Sequence, residues 1–282
     1  LSSSSAASDV YKRQVFLLLP PMFRFHTTVY DCVDIATHPH PSLARRLKEA
    51  EQSLISHASL VVANSHTLVR RLKHIRPDVH LVPLGFRIGM FTHPTLHPLP
   101  LTKKRPVIGF IGSIDYRVNF RLLLDLSTRH PSWQFALVGP IFYDHLTHDA
   151  QTLMKRLLER PNVLHTEVLP QHIPAVLCQF SVAIIPYDTR VPLSRYAYPM
   201  KIMEYFYAQK PVIATPIYEL MKFIPLIRTA KSTNDWTRAI QQTLRHPVTS
   251  SASRQMKNIA RKNTWEKKLA AIQTELARLG IL

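Results

Sequence analysis

Two side chains of opposite charge, Lys201 and Glu204, stand three residues apart in a segment with the pattern of a short helix. Pro199 can open this helix because its first turn needs no proline N–H. Pro211 ends it, since the residue before a proline is disfavoured in a helix. A lysine near a helix start suits a phosphate, and a carboxylate one turn later suits two sugar hydroxyls. The alternative is a surface ion pair, in the weaker order with the lysine first. Spacing alone leaves both interpretations open.

The predicted helix, residues 199–209, has two different faces. We expect its apolar face to be buried, and that face consists of Ile202, Met203 and Phe206. The other face consists of Lys201, Glu204, Tyr205 and Ala208. The run at 212–215 is short, apolar and β-branched, which is typical of a strand in a covered parallel sheet.

Two glycines follow apolar runs that we predict to be strands. Gly112 follows the run 107–111, and Gly139 follows the run 133–138. Ligands of open α/β sheets bind at the carboxyl ends of the strands. A glycine there lets the backbone approach a phosphate, and Arg117 can add a bidentate clamp. The dinucleotide fingerprint G-x-G-x-x-G is absent, so an ordinary tight turn is the alternative interpretation.

A further predicted strand, 182–185, leads through a loop towards the Lys201 helix. In that loop Ser194 and Arg195 could contact a sugar or a diphosphate, and the alternative is a solvated loop. Three or four strand ends that converge on one crevice favour the binding site over the alternatives.

The composition indicates an anionic partner. The 282 residues carry a net charge of +18, with 36 lysines and arginines against 18 acidic residues. Such a charge attracts nucleic acid, an anionic membrane or a phosphate-rich substrate. The basic residues are spread along the chain with no nucleic-acid-binding signature, which favours the membrane or the substrate. Cys32 and Cys178 lie in apolar contexts without metal-ligand spacing, so we expect reduced, buried thiols, a cytoplasmic protein and no metal.

Apolar runs and amphipathic stretches alternate along the chain, which predicts parallel sheets with helices on both faces. The fold class is therefore α/β, with two doubly wound, Rossmann-like domains of which the first is incomplete. The predicted strands are 15–19, 27–33, 59–63, 79–82, 107–111, 133–138, 163–165, 182–185 and 212–215. The predicted helices are 42–56, 65–74, 119–129, 150–158, 172–179, 199–209, 233–245, 250–261 and 265–279.

The amino end has no packing pattern. Residues 1–14 resemble a translated cloning or sequencing adaptor, and the chain lacks an initiator methionine, so we expect an amino-terminal truncation. The proline- and histidine-rich stretch 93–104 is predicted to be a linker. The remaining predicted boundaries are 15–92 for the first domain, 105–262 for the second and 263–282 for a carboxyl-terminal helix.

Several motifs resemble those of one enzyme family. In the first domain they are Tyr30–Asp34, Leu60–Ser65 and Val79–Gly85. In the second they are Ile108–Gly112, Leu137–Pro140, Val182–Pro186 and Lys201–Thr215. From about Val15 onward the chain resembles GT-B-fold glycosyltransferases of the retaining family 4 type, including bacterial teichuronic-acid-like enzymes of cell-surface polysaccharide synthesis. These enzymes move a hexose from a nucleotide-sugar to a lipid-linked or polysaccharide acceptor.

The resemblance implies a role for each domain. Residues 15–92 become the acceptor side, 105–262 bind the nucleotide-sugar, and 263–282 cross back to the first domain. In the family's E-x7-E motif the second glutamate corresponds to Glu204, which would bind the ribose, and the first corresponds to Tyr196. The sequence also departs from the family at Thr166-Glu167 and at Ser181. The expected donor-binding residues are Gly112, Ser113, Arg117, Gly139, Ser194, Arg195, Tyr196, Lys201 and Glu204.

The resemblance also implies a metal-independent hexosyltransferase without a cofactor, and no side chain stands out as a catalytic nucleophile. The expected partners are the nucleotide-sugar donor, a lipid-linked or polysaccharide acceptor and an anionic membrane surface, with no specific nucleic acid. We expect the protein on the cytoplasmic side of the plasma membrane, bound peripherally. The alternatives are a non-catalytic nucleotide- or polyanion-binding protein of the same fold and a sugar-nucleotide epimerase of the same two-domain architecture.

Overall fold

The computed structural model describes residues 27–35, 41–92, 95–102 and 104–282, apart from the side chains of Arg195 and Tyr196. The predicted adaptor at 1–14 and the predicted strand at 15–19 lie outside the described residues. The chain forms two compact units. One consists of the residues up to Leu84 together with Glu266–Leu282, and the other is Gly85–Trp265. The sequence placed the corresponding boundaries after residues 92, 104 and 262.

The first unit contains a parallel three-stranded sheet in the order β1-β2-β3. Its strands are β1 Val29–Cys32, β2 Leu60–Ala63 and β3 Val79–Leu81. Its helices are α1 Pro41–His57, α2 His66–Lys73 and, after the second unit, α11 Trp265–Arg278. The Ser65 side chain caps α2 by accepting a hydrogen bond from the Leu68 N–H at 3.2 Å.

Successive strand residues point to opposite sides of the sheet. All four residues of β2 are apolar and buried, so helices cover both faces of this sheet. On one face, buried residues of α1 and α2, such as Ile55 and Leu72, pack against Val61 and Ala63 of β2. On the other face, the intervening residues of β2 pack against Leu276 of α11. The last helix of the chain therefore completes the core of the first unit.

The second unit contains a parallel six-stranded sheet in the order β6-β5-β4-β7-β8-β9. Its strands are β4 Val107–Ile111, β5 Gln134–Val138, β6 Val163–Thr166, β7 Val182–Ile185, β8 Val212–Ala214 and β9 Ile227–Thr229. Its helices are α3 Phe120–Arg129, α4 His148–Leu158, α5 Ile173–Cys178, α6 Pro192–Tyr196, α7 Lys201–Tyr207, α8 Tyr218–Met221, α9 Thr233–Arg245 and α10 Ser250–Arg261.

The strand order fixes where a ligand can enter. Counted within this unit the order is 3-2-1-4-5-6, the doubly wound pattern, and the chain reverses its direction across the sheet between β4 and β7. The loops that follow β4 and β7 leave towards opposite sides, which opens a crevice at the carboxyl ends of these two strands. The fold thus places the crevice beside Gly112 and the segment that leads to Lys201.

Helix α7 is shorter than predicted. It begins at Lys201, two residues after Pro199, and spans seven residues to Tyr207. Gln209 has a positive φ of 56°, and the N–H of Lys210 donates to the Tyr205 carbonyl at 2.9 Å. This is the Schellman type of helix ending with a glutamine in the position that glycine usually holds. The left-handed residue, rather than Pro211, ends the helix.

Three short elements were not predicted from the sequence, namely β9, α6 and α8. Strand β9 is a three-residue edge strand that contains an exposed arginine, and α6 and α8 span only five and four residues. Such elements are too short to show a hydrophobic period. The prediction that both cysteines are buried is wrong for Cys178, which is exposed at the end of α5, whereas Cys32 is buried in β1.

Candidate functional site

Two glycine turns form the floor of the crevice. Gly112 has φ +118° and Gly139 has φ +141°, a region that side-chain-bearing residues avoid. A Cβ atom on Gly139 would lie 2.4 Å from the Gly112 carbonyl oxygen. The Gly112 N–H donates to the Val138 carbonyl at 2.9 Å, which ties the two turns together. Both positions require glycine, Gly112 for its backbone conformation and Gly139 for its conformation and the close approach.

The Lys201 ammonium group lies directly against the Gly112 turn. A Cβ atom on Gly112 would be 3.2 Å from Lys201 Nζ. Nζ donates a hydrogen bond to Tyr187 Oη at 2.5 Å, and it lies 4.5 Å from the ring centroid of Phe110 and 4.7 Å from that of Tyr187. Among the described residues no carboxylate comes within 4.0 Å of Nζ. Within the described residues, the crevice therefore presents a cation that no carboxylate approaches within ion-pair distance.

Arg117 is already engaged by a neighbouring carboxylate. Its Nε donates to Asp115 Oδ1 at 2.9 Å and its Nη2 to Asp115 Oδ2 at 2.5 Å. Burial lowers the pKa of Arg117, but the neighbouring Tyr187 and Asp115 outweigh it, so the pKa lies above its ordinary value. Asp115 occupies the edge of the guanidinium group formed by Nε and Nη2, which leaves the second edge, formed by Nη1 and Nη2, for another acceptor.

Glu204 lies one helical turn after Lys201 and is half-buried. Its carboxylate makes no hydrogen bond or ion pair within the described part of the chain. Burial raises the pKa of Glu204, and the charge of Lys201 lowers it by a smaller amount. Such a carboxylate has free acceptor sites for the hydroxyl groups of a ligand.

Tyr205 does not belong to the polar face of α7, which corrects the prediction from helical spacing. It is fully buried. Its hydroxyl accepts from the Ile111 N–H at 3.0 Å and donates to the Ile184 carbonyl at 3.3 Å. Burial raises the pKa of Tyr205 well above its usual value. Tyr205 bridges β4 and β7 where they diverge, and so fixes α7 at the crevice.

For the other predicted donor-binding residues, the structure gives a position but no contact with Lys201 or the glycine turns. Ser113 follows Gly112 and is half-buried. Ser194 is fully buried in α6, and its hydroxyl has no hydrogen-bond partner in the described ranges, so it does not lie in a solvated loop. Arg195 and Tyr196 are the last two residues of α6, and the structure does not describe their side chains.

The structure thus brings Gly112, Gly139 and Lys201 into contact, and Tyr187 joins Arg117 to them through a cation–π distance of 5.6 Å. Three members of this cluster were missed by sequence reasoning, namely Phe110, Asp115 and Tyr187. A signal existed for Tyr187, because it is a large aromatic residue two positions after a buried strand. The loop path that turns its hydroxyl towards Lys201 had no such signal.

A doubly wound sheet with this crevice, in a chain that holds a second parallel sheet, defines the GT-B class of fold. Residues 105–246 match the model of the family described as glycosyl transferases group 1, and the chain belongs to this family.

The chain is similar to several individual proteins. It is 27% identical over 216 residues to a Bacillus subtilis (strain 168) protein named as a teichuronic acid biosynthesis glycosyltransferase, TuaH. This match covers 71% of the chain and 53% of TuaH, so the chain spans about half the length of that curated relative.

Solved structures show the same fold. Sucrose-phosphate synthase from Thermosynechococcus elongatus superposes with a TM-score of 0.68 at 17% identity, over 96% of this chain and 72% of that one. A TarM mutant from S. aureus, in complex with fondaparinux, α-GlcNAc-glycerol and UDP, has a TM-score of 0.61 at 15% identity, over 92% of this chain and 52% of that one.

Two kinds of feature are absent from residues 27–35, 41–92, 95–102 and 104–282. None of the helices there is long and apolar enough to cross a membrane. No group of three or more histidine, cysteine, aspartate or glutamate side chains is arranged there to hold a metal ion.

Proposed function

We propose that the protein is a glycosyltransferase that moves a hexose from a nucleoside-diphosphate sugar to a lipid-linked or polysaccharide acceptor. One observation carries this proposal. The Lys201 ammonium group, which has no carboxylate partner in the described residues, lies against the left-handed Gly112 turn in the crevice between β4 and β7. A cation beside close-packed backbone at this position suits the diphosphate of a nucleotide.

The donor would occupy the crevice in a defined orientation. Lys201, the Gly112 turn and Ser113 would contact the diphosphate, and Arg117 would add its free Nη1. Glu204 would accept hydrogen bonds from the two ribose hydroxyls. The carboxylate that binds hydroxyls and the cation that binds phosphate lie one helical turn apart on α7, which matches the ribose and phosphate groups that adjoin in a nucleotide.

The proposed reaction proceeds with retention of the anomeric configuration. The bond between the hexose C1 and the phosphate oxygen breaks, and a bond from C1 to the acceptor oxygen forms. The acceptor hydroxyl gives its proton to a donor phosphate oxygen, so no protein nucleophile is required. Negative charge develops on the departing diphosphate, and the preorganised Lys201 ammonium would stabilise it without a metal ion or cofactor.

The relatives support a cell-envelope acceptor. TuaH is named for teichuronic acid biosynthesis, and the TarM structure contains UDP together with a glycosylated glycerol. We assign the acceptor to the same chemical class, a lipid-linked or polymeric carbohydrate. We propose that Ser194, Arg195 and Tyr196 lie near the transferred hexose, because the segment from β7 to Lys201 passes through α6, to which they belong.

Calorimetric titration with UDP and GDP tests the donor site. We expect micromolar to millimolar binding of one of the two nucleotides, and Glu204→Ala should weaken it roughly tenfold or more through the lost charged hydrogen bonds. Glu159→Ala is the matched control, because Glu159 is exposed at the end of α4. If neither nucleotide binds, or if Glu204→Ala binds as wild type does, the assignment fails.

A non-catalytic nucleotide-binding protein is the second candidate. Tyr196 favours it, since it stands where the family motif has its first glutamate. Incubation with UDP-hexoses and analysis of the sugars by NMR separates the possibilities. Released or transferred hexose supports the transferase, a changed sugar stereochemistry supports an epimerase, and binding without turnover supports the non-catalytic protein.

A further inference from the structure

Three large side chains are exposed between β8 and β9. Tyr218 is 56% exposed, Met221 43% and Ile224 47%. They recur every third residue through α8 and the turn after it, and the neighbouring Pro225 is exposed as well. We refer to residues 218–225 as the apolar turn. Residues three positions apart are neighbours on a helix, and neighbouring exposed apolar side chains mark sites of contact with a partner.

The apolar turn is firmly anchored. Phe223 points inwards, and its ring lies 5.2 Å from that of Phe206 on α7 in an edge-to-face arrangement. Leu220 and Ile217 are almost completely buried. Part of its backbone is hydrogen-bonded internally, since the Phe223 N–H donates to the Leu220 carbonyl and the Ile224 N–H to the Met221 carbonyl. The two charged residues of this segment, Glu219 and Lys222, lie 3.7 Å apart as an ion pair.

A basic groove follows directly in the chain. It lies between the end of β9 and the first turns of α9, with Arg228, Lys231 and Arg238 in its lining. The Asp235 carboxylate, also in the groove, is occupied by the Ser232 cap and by Arg238 at 2.6 Å. Arg228 and Lys231 have no ion-pair partner among the described residues. The groove therefore offers two uncompensated cations, and Arg228 is only four residues beyond Ile224.

We propose that the apolar turn enters the interface of an anionic lipid bilayer while Arg228 and Lys231 contact the lipid phosphates. A tyrosine with aliphatic neighbours suits the boundary between head groups and hydrocarbon, and nearby cations add attraction to anionic lipid. A second copy of the chain is a poor partner because both copies carry a net charge of +18. Nucleic acid would satisfy the cations but not the exposed methionine and isoleucine. This inference goes beyond the proposed function, since docking needs no nucleotide.

Sedimentation with vesicles tests the docking. One set of vesicles contains phosphatidylcholine alone, and the other adds phosphatidylglycerol. We expect wild-type protein to sediment with the anionic vesicles only. The triple variant Tyr218→Ser, Met221→Ser, Ile224→Ser should lose about tenfold or more of its partition coefficient, because three apolar side chains no longer enter the interface. The control changes three other exposed leucines, Leu96→Ser, Leu169→Ser and Leu282→Ser, and should bind as wild type does.

A second pair of variants tests the charge contribution. Arg228→Gln with Lys231→Gln should weaken binding severalfold, whereas Arg45→Gln with Lys48→Gln, the same charge change on the exposed side of α1, should have a smaller effect. UDP titration of every variant shows whether the fold and the crevice survive. A failure of nucleotide binding in wild type would overturn the proposed function but leave the vesicle result standing.

Three outcomes would overturn the docking proposal. In the first, the wild-type protein does not sediment with anionic vesicles. In the second, the triple serine variant binds them unchanged. In the third, light scattering shows that the triple variant converts a dimer to a monomer, which would make a second copy the partner of the apolar turn.

Discussion

The ammonium group of Lys201 is held in place by neighbours other than a carboxylate. Two aromatic rings and one tyrosine hydroxyl surround its ammonium group. These neighbours hold the side chain against the Gly112 turn without forming an ion pair with it. An aspartate in the place of Tyr187 would neutralise the charge and compete with a diphosphate. The aromatic surroundings therefore favour affinity for an anion over stability of an ion pair.

Replacement of Lys201 by methionine tests this interpretation. Lys201→Met keeps the length of the side chain and removes the charge, and we expect the dissociation constant for UDP to rise by roughly 10- to 100-fold. Lys257→Met is the control, because Lys257 Nζ lies 5.1 Å from the Tyr207 ring in a comparable contact. Equal losses for both variants in titration calorimetry would contradict a specific role of Lys201.

In the proposed donor site, Glu204 should make nucleotide binding depend on pH. Burial raises the pKa of Glu204 above its ordinary value, and the ionised carboxylate is the form that accepts two hydroxyl hydrogen bonds. The affinity for UDP should thus be full above the raised pKa and fall as the pH drops through it. Glu204→Gln controls for the titration of the nucleotide phosphate, since it should bind more weakly and lack only the part of the pH dependence that Glu204 contributes.

The same shift has the opposite sign for stability. Because its folded-state pKa is raised, the protonated form of Glu204 favours folding, and this contribution is lost as the pH rises through the raised pKa. Glu204→Gln should therefore unfold at a higher temperature than wild type at neutral pH, and the difference should disappear at low pH. A lower unfolding temperature for the variant at neutral pH would argue against the desolvated carboxylate.

The two glycine turns directly follow β4 and β5 and form the floor of the crevice. Gly139→Ala places a Cβ atom 2.4 Å from the Gly112 carbonyl oxygen at a φ of +141°. We expect this variant to lose about 1–3 kcal/mol of stability, and to bind UDP poorly because the Gly112 turn must move. Gly280→Ala, at φ +68° with no atom within 4 Å, isolates the backbone strain. Chemical denaturation and UDP titration measure both effects, and intact binding by Gly139→Ala would contradict the coupling of the two turns.

The sequence predicted most of these elements because their signals are local. Ser65 and Asn119, the first residues of two predicted helices, cap α2 and α3 through side-chain hydrogen bonds. The apolar runs at β4, β5 and β7 needed no tertiary information either. The prediction placed Tyr205 on the polar face because helical spacing gives only the direction in which a residue points. It does not show that the tyrosine fills the gap between the diverging strands β4 and β7. Tyr187 and Lys201 are fourteen positions apart in the sequence, and no local pattern encodes the path of the chain between them.

Each of the two units has a core of its own, so the whole chain should unfold in more than one step. In the first unit the Lys268 ammonium, which is almost fully buried, lies 2.5 Å from Asp31 Oδ2 and connects α11 to β1. Removal of one partner from such a pair leaves a poorly solvated charge. Because Asp31 is partly exposed, we expect a cost of about 1–3 kcal/mol, below that of a fully buried pair.

Lys268→Ala should consequently lower the transition temperature of the first unit and leave that of the second unchanged. Saturating UDP should raise only the transition of the second unit, since ligands stabilise the unit that binds them. Differential scanning calorimetry resolves both effects. Arg45→Ala serves as the control, because its pair with Glu49 is exposed and long at 3.8 Å. A single transition that moves with both UDP and Lys268→Ala would show that the units unfold as one.

The contrast between the two thiols has a practical consequence. Cys178 is exposed on the second unit and Cys32 is enclosed in the core of the first. A maleimide fluorophore should therefore attach to the natural chain at one position without mutagenesis. Under mild denaturation, Cys32 should become labelled when the first unit opens. Mass spectrometry of the peptides would detect this second labelled site and so give the rate of opening. The chain thus carries its own pair of reporters, one for each unit.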